Sequence, residues 1–226
     1  MNETIIISLG GSLIVPDAID IEFLKDFKSL ILSEVEKGKR FVIITGGGKI
    51  ARRYIDVAKD LVTPPDEDLD FIGIAALRLN AELLRVVFGN QAYSKVISDL
   101  SGDLSFQESI IIGSAYEPGH STDWDAVLAA KNKKAKKIVN LSNVNYVYDS
   151  DPNKNPHAKK IEKISWEEYK KIIPGSWTSG LNSPFDPTAS EEAEEAGIEV
   201  VIMNGKPLDN FANYLAGKSF QGTVIS

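Results

Sequence analysis

Two short β-rich apolar runs lead straight into glycine clusters, and this restricts the fold more than any other feature. Ile5-Ile6-Ile7-Ser8-Leu9 runs into Gly10-Gly11-Ser12, and Phe41-Val42-Ile43-Ile44-Thr45 runs into Gly46-Gly47-Gly48-Lys49. A continuous apolar run of this length marks a strand buried on both faces, as in a parallel sheet. After each cluster apolar residues return at helical spacing. Phe23, Leu24, Phe27, Leu30, Ile31 and Val35 form one stripe, and Ile50, Tyr54, Val57, Ala58 and Leu61 form the next.

The alternation continues along the chain. Strands are predicted at 109–112, 137–141 and 199–203. Helices are predicted at 69–88, 123–132, 165–172, 187–196 and 207–216. Thr63-Pro64-Pro65-Asp66 ends one helix, Asp186-Pro187 is an N-cap with proline in the first turn, and Gly197 and Gly217 suit C′ positions. Residues 93–107 are expected to hold another short strand and a small helix, and 150–160 a surface loop. The order βαβα predicts an α/β fold: one three-layer α/β/α sandwich over residues 1–226 with a mainly parallel central sheet.

Composition removes several chemistries. The net charge of −7 opposes nucleic-acid binding. There is no cysteine, which excludes disulfides, thiolate catalysis and cysteine-bound zinc; two histidines, His120 and His157, cannot build a metal cage. No apolar run reaches membrane-spanning length, and the first residues lack the basic start of a signal peptide. The expectation is a cytoplasmic protein with no membrane and no nucleic-acid partner.

Glycine lets backbone approach a ligand closely, and the helix that follows presents free N–H groups and a positive dipole end. Two such turns in one acidic chain point to phosphate binding; the plain alternative is two tight βα turns. Neither cluster is G-x-x-x-x-G-K-[ST] or G-x-G-x-x-G, so the chain is neither a P-loop NTPase nor a dinucleotide enzyme. A third loop, 113–123, contains Pro118-Gly119-His120-Ser121-Thr122-Asp123, where Ser121, Thr122 or Asp123 can cap a helix. Taken alone, His120 reads as a structural or surface histidine. A fourth loop, Ser142-Asn143-Val144-Asn145-Tyr146-Val147-Tyr148 followed by Asp151-Pro152, has two tyrosines able to flank a purine, or is an ordinary turn. All four loops leave the carboxyl ends of strands, which share one edge of a parallel sheet.

Together these segments resemble the amino-acid kinase superfamily, and within it the archaeal-type uridylate (UMP) kinases. Gly46-Gly47-Gly48-Lys49-Ile50-Ala51-Arg52 is similar to GGGKLAR. Asp70-Phe71-Ile72-Gly73-Ile74 with Arg78-Leu79-Asn80-Ala81 resembles D-x-I-G-I…R-x-N-A. The third loop resembles PGHTTD, and the fourth TNVDGVY with a following DP. The likeness extends to Gly222-Thr223-Val224-Ile225. It implies ATP with Mg²⁺, a UMP acceptor, and a homo-oligomer, often a hexamer. It implies that Gly10, Gly11, Ser12 and Gly48 hold the ATP phosphates and that Ser142, Tyr148 and Asp151 hold the adenosine end. Gly47, Asp70, Pro118, Gly119, His120, Ser121 and Thr122 would hold the acceptor, with Arg52 and Asp123 as the catalytic candidates. The acceptor-binding portion would span roughly 1–135 and the ATP-binding portion 136–226.

The chain also departs from the pattern. Ser8 stands where many members of the superfamily have lysine, Asn145-Tyr146 replaces Asp-Gly, and Trp124-Asp125 replaces small residues. Glu191, Glu192, Glu194 and Glu195 crowd a helix where relatives often carry lysine. Two other readings stay open: a related kinase acting on another small acid or phosphate, such as isopentenyl phosphate or an amino acid, and a nucleotide-binding sensor or storage protein without transfer.

Overall fold

The structure is a computed structural model that describes residues 3–102, 104–115, 117–152, 154–176 and 183–226. The strands are β1 (Thr4–Leu9), β2 (Arg40–Thr45), β3 (Ile110–Gly113), β4 (Lys137–Ser142), β5 (Val147–Tyr148), β6 (Lys160–Ile161), β7 (Lys163–Ile164), β8 (Glu199–Asn204) and β9 (Thr223–Ile225). The helices are α1 (Gly11–Ile14), α2 (Ile21–Glu36), α3 (Gly48–Leu61), α4 (Asp66–Phe88), α5 (Thr122–Lys133), α6 (Trp166–Ile172), α7 (Pro187–Glu195) and α8 (Leu208–Leu215). The main sheet has the order β3-β2-β1-β4-β8-β9-β7. Its first five strands pair in parallel, β9 runs antiparallel to β8, and β7 runs parallel to β9. Strands β5 and β6 form a separate two-stranded ribbon.

Side chains that alternate along the strands divide into two cores. Ile5, Ile7 and Leu9 join Phe27, Phe88 and Phe211 beneath α2, α4 and α8. Ile6, with Val42 and Ile138, joins Ala126, Ala130, Phe185 and Ala189 beneath α5 and α7. Two buried layers, one on each sheet face, are what a three-layer α/β/α sandwich requires. The caps follow the sequence as well: the Asp186 carboxylate accepts from Ala189 N, and Gly197 and Gly217 have positive φ. Among the described residues no helix is long and apolar enough to cross a membrane.

Three features differ from the sequence reading. Among its described residues the region 93–107 has no helix; a single 3₁₀ turn at Gly89–Gln91 leads to isolated bridges, Ala92 to Ile110 and Ile97 to Gly113. Of the apolar stripe on α3, Ile50 packs against the core, whereas Tyr54, Val57 and Leu61 are 68%, 56% and 78% exposed, and Ala51 and Ile55 are the buried positions of that helix. The third change is the short α1, which the sequence does not signal because it spans a single turn.

The two glycine clusters pack against each other. A Cβ on Gly11 would lie 2.3 Å from Gly46 O and 2.3 Å from Gly48 N, both backbone atoms. Gly48 has φ +65, and a Cβ there would lie 2.5 Å from Gly11 O. Buried Asn80 on α4 fixes the second cluster by donating from Nδ2 to Gly46 O at 2.8 Å and to Gly47 O at 3.3 Å. Gly11→Ala must therefore push the neighbouring backbone segments away from each other. It is expected to cost about 1–3 kcal/mol, or roughly 2–10 °C of melting temperature, as overpacking does in a chain of this size. Gly73→Ala, where a Cβ meets nothing within 4 Å, should melt at or above the parent. Thermal melts of both variants check this.

Candidate active site

The carboxyl ends of β1, β2 and β4 and the loop after β3 open on one cavity of about 630 Å³. Gly10, Gly11 and Ser12 line it from the start of α1, and Gly47, Gly48 and Arg52 from the start of α3. Asp70 lines it from α4, and His120, Ser121, Thr122 and Asp123 from the entry to α5. Ser142, Tyr148 and Asp151 line it from the β4–β6 segment. The loops of the acceptor and adenosine readings thus share one space. Pro118 and Gly119 are not in its wall; they form the turn just before His120.

The helix ends differ in a way that matters for anions. Asp20, Ser121, Ser165 and Asp186 cap α2, α5, α6 and α7 with side-chain oxygens. Helices α1 and α3 begin at Gly10 and Gly47 with no side-chain cap. Both helix starts line the cavity, and an uncapped helix start, with its free N–H groups and positive dipole end, is an arrangement that holds phosphate. Among the described residues of the cavity wall, Arg52 is the one lysine or arginine. It is exposed and makes no ion pair with Asp56, whereas Lys49 and Arg53 turn away to Asp17 at 2.7 and 3.5 Å.

Asp70 is not in the first turn of α4, where Asp66, Glu67 and Asp68 stand. Its Oδ2 accepts from Gly119 N at 2.8 Å. In this state it ties α4 to the turn after β3. The β4–β6 segment is held from the far end of the chain: the Thr223 hydroxyl accepts from Val147 N at 2.8 Å and donates to Ile161 O.

Asp123 sits in a polar network that sequence spacing does not reveal. Ser8 Oγ and Asn140 Nδ2 each donate to Asp123 Oδ1 at 2.9 Å, and Asp186 N donates to Oδ2 at 3.3 Å. Ser8 and Asn140 are register partners on β1 and β4, so two polar residues interrupt adjacent apolar strands on the same face. The Ser121 hydroxyl bonds to Asp186, joining the two helix caps. Asp123 is half-buried in the cavity wall, and loss of hydration, with the neighbouring Asp186 charge, pushes its pKa up to about 7. Asp125, two residues further along α5, is buried with Oδ2 unpartnered. Burial first, then the charges of Asp123, Glu117 and Asp186, push it up to about 7 as well. Ser8 supplies a hydroxyl donor and no compensating charge.

The glutamates of α7 turn outward. Glu192 pairs with Lys131 at 2.8 Å and Glu194 pairs with Lys170, so the acidity of this helix is a solvated face.

The sequence profile of the Amino acid kinase family matches residues 3–204. The chain belongs to the amino acid kinase family. It is 34% identical over 224 residues to a uridylate kinase of Thermococcus onnurineus, with 98% of each chain covered. It is 36% identical over 228 residues to a uridylate kinase of Thermoplasma volcanium, covering 100% of this chain and 98% of the relative. The crystal structure of uridylate kinase from Archaeoglobus fulgidus superimposes with a TM-score of 0.82 at 32% identity, over 99% of this chain and 100% of that one.

In this chain the acidic pair makes stability depend on pH. Asp123 and Asp125 are raised above the ordinary value of 3.8. The folded chain therefore keeps protons that the unfolded chain releases, and stability falls as pH rises from about 4 through about 7. Asp125→Asn removes one buried charge. Its melting temperature should exceed the parent's at pH 8 by a few degrees, at about 2–4 °C per kcal/mol, and match it at pH 5. An equal shift at both pH values would mean that Asp125 does not titrate in this window.

Proposed function

We propose that this chain transfers the γ-phosphoryl group of ATP to UMP, giving UDP and ADP. One observation carries the reading: two uncapped glycine-started helices and one unpaired arginine converge on a cavity long enough to reach from the Asp70 side to Tyr148. The curated relatives at 34–36% identity over nearly full length are uridylate kinases, which favours UMP over an amino acid or another phosphate and favours transfer over storage.

In this reading Gly10, Gly11, Ser12 and Gly48 receive the ATP phosphates through backbone N–H groups, and Ser142, Tyr148 and Asp151 receive the adenosine. The acceptor lies toward Gly47, Asp70, His120, Ser121 and Thr122, with Pro118 and Gly119 shaping the turn that presents them. An oxygen of the UMP phosphate forms the new P–O bond as the bond from the γ-phosphorus to the β–γ bridging oxygen breaks. No covalent nucleophile is needed; positioning and charge stabilisation suffice. Arg52 supplies paired N–H donors to the phosphoryl oxygens in transfer. Asp123, held by Ser8 and Asn140, fixes the polar floor between the two ends.

Mg²⁺ fits as a cation that arrives on the ATP phosphates. Among the described residues no three carboxylates or histidines form a cage, and Mg²⁺ is commonly held by phosphate oxygens and water with few protein ligands. It would neutralise phosphate charge that Arg52 cannot balance alone. The reading includes a cytoplasmic location, where both nucleotides are found. It also includes a homo-oligomer, with a hexamer as one form, in which the exposed Tyr54, Val57 and Leu61 of α3 are covered by a second copy.

An ADP-release assay across UMP, CMP, isopentenyl phosphate and amino acids tests the acceptor, and UMP should give the highest kcat/KM. With UMP, Arg52→Ala should lower kcat by on the order of a hundredfold, as loss of one preorganised electrostatic group does. Arg52→Lys should recover some of that loss, and Arg53→Ala should stay near the parent. Preference for another acceptor would overturn the substrate, and near-normal turnover in a folded Arg52→Ala would overturn the assigned chemistry.

A further inference from the structure

His120 is the wall residue whose orientation the hydrogen bonds do not explain. Its Nδ1 is buried and has no partner. A buried polar atom left unpaired in a ligand cavity calls for an account, and a ligand atom can provide it. The turn around His120 is fixed at both ends. Gly119, at φ +89, gives its N–H to Asp70, and the Ser121 side chain caps α5. Neither tie sets the plane of the imidazole between them.

The indole of Trp124 sets it. The two rings lie nearly parallel, at 13°, with centroids 3.9 Å apart. Trp124 is itself anchored: its backbone N–H reaches Ser121 O at 3.1 Å, and its side chain packs against the core beneath α5. Trp124 does not line the cavity, whereas His120 does.

We propose that Trp124 is a positioning residue for the acceptor: its indole holds the His120 imidazole flat, so that the ring presents a nitrogen to an oxygen of bound UMP. This rests on the UMP reading above. One turn of α5 then does three things. Ser121 caps it, Asp123 joins the polar floor, and Trp124 stacks on His120. The loss of a stack should appear in acceptor binding and leave the ATP side untouched.

Four variants test it, Trp124→Ala, Trp124→Phe, His120→Ala and the Trp124→Ala/His120→Ala double. Trp124→Ala should raise KM for UMP about three- to tenfold, the equivalent of one aromatic pair, with KM for ATP unchanged. Trp124→Phe, which can still stack, should stay near the parent. The double variant should be no worse than His120→Ala alone, because Trp124 acts through that ring. Additive losses, or equal rises in both KM values, would overturn the proposal. A second readout does not depend on turnover. The chain has two histidines, so the His120 ring proton is assignable by NMR. It should show an upfield ring-current shift in the ligand-free parent that Trp124→Ala removes, and it should move when UMP is added. Absence of that shift in a protein that turns over UMP overturns the stack. Its presence in a protein that neither binds nor uses UMP overturns the acceptor assignment, and the role proposed for Trp124 with it.

Discussion

The close contact between the two glycine clusters is the constraint on which the rest of the site depends. The backbone of Gly11 touches that of Gly46 and Gly48 with no room for a side chain between them. This contact brings the starts of α1 and α3 side by side, where the proposed reading has their N–H groups act on one ligand. The glycines are thus required by packing alone, and in that reading phosphate binding uses a backbone surface that the fold already exposes. Asn80 secures the arrangement from α4, the helix that also carries Asp70 to the other end of the cavity.

Charge poses the opposite problem. A net charge of −7, two buried carboxylates, Asp125 and Asp186, and a half-buried one, Asp123, lie beside a cavity read as a phosphate site. The protein meets this in two ways. Desolvation and mutual repulsion raise Asp123 and Asp125 so that both hold protons close to neutral pH. Backbone dipoles at the starts of α1 and α3, with Arg52, supply positive potential to the same cavity. Ser8 keeps Asp123 in place through a hydroxyl.

Much of this was legible in the sequence, and the exceptions have physical causes. Buried parallel strands are continuous apolar runs, so the five parallel strands of the main sheet could be read directly. Strand β9 and the β5–β6 ribbon are too short to carry a period. The apolar spacing of α3 marked an amphipathic helix, but periodicity does not record what covers its apolar face, and Tyr54, Val57 and Leu61 are exposed. The polar floor could have been suspected from Ser8 and Asn140, each a lone polar residue in an apolar strand, but pairing them with Asp123 required the register of β1 against β4. The glycine loops were visible because their spacing is local; the ties from Asn80, Thr223 and Asp186 span long stretches of chain. Roles along the cavity came from resemblance, and the structure adds that the residues concerned face one space, with Pro118 and Gly119 outside its wall.

The central claim is transfer between two nucleotides held in one cavity, and phosphorus NMR of a single reaction mixture tests it most directly. With ATP, Mg²⁺ and UMP present, the account predicts that UDP and ADP accumulate together in equal amounts and that no inorganic phosphate appears. ATP loss that yields ADP and free phosphate, or no loss of ATP with UMP present, would contradict it.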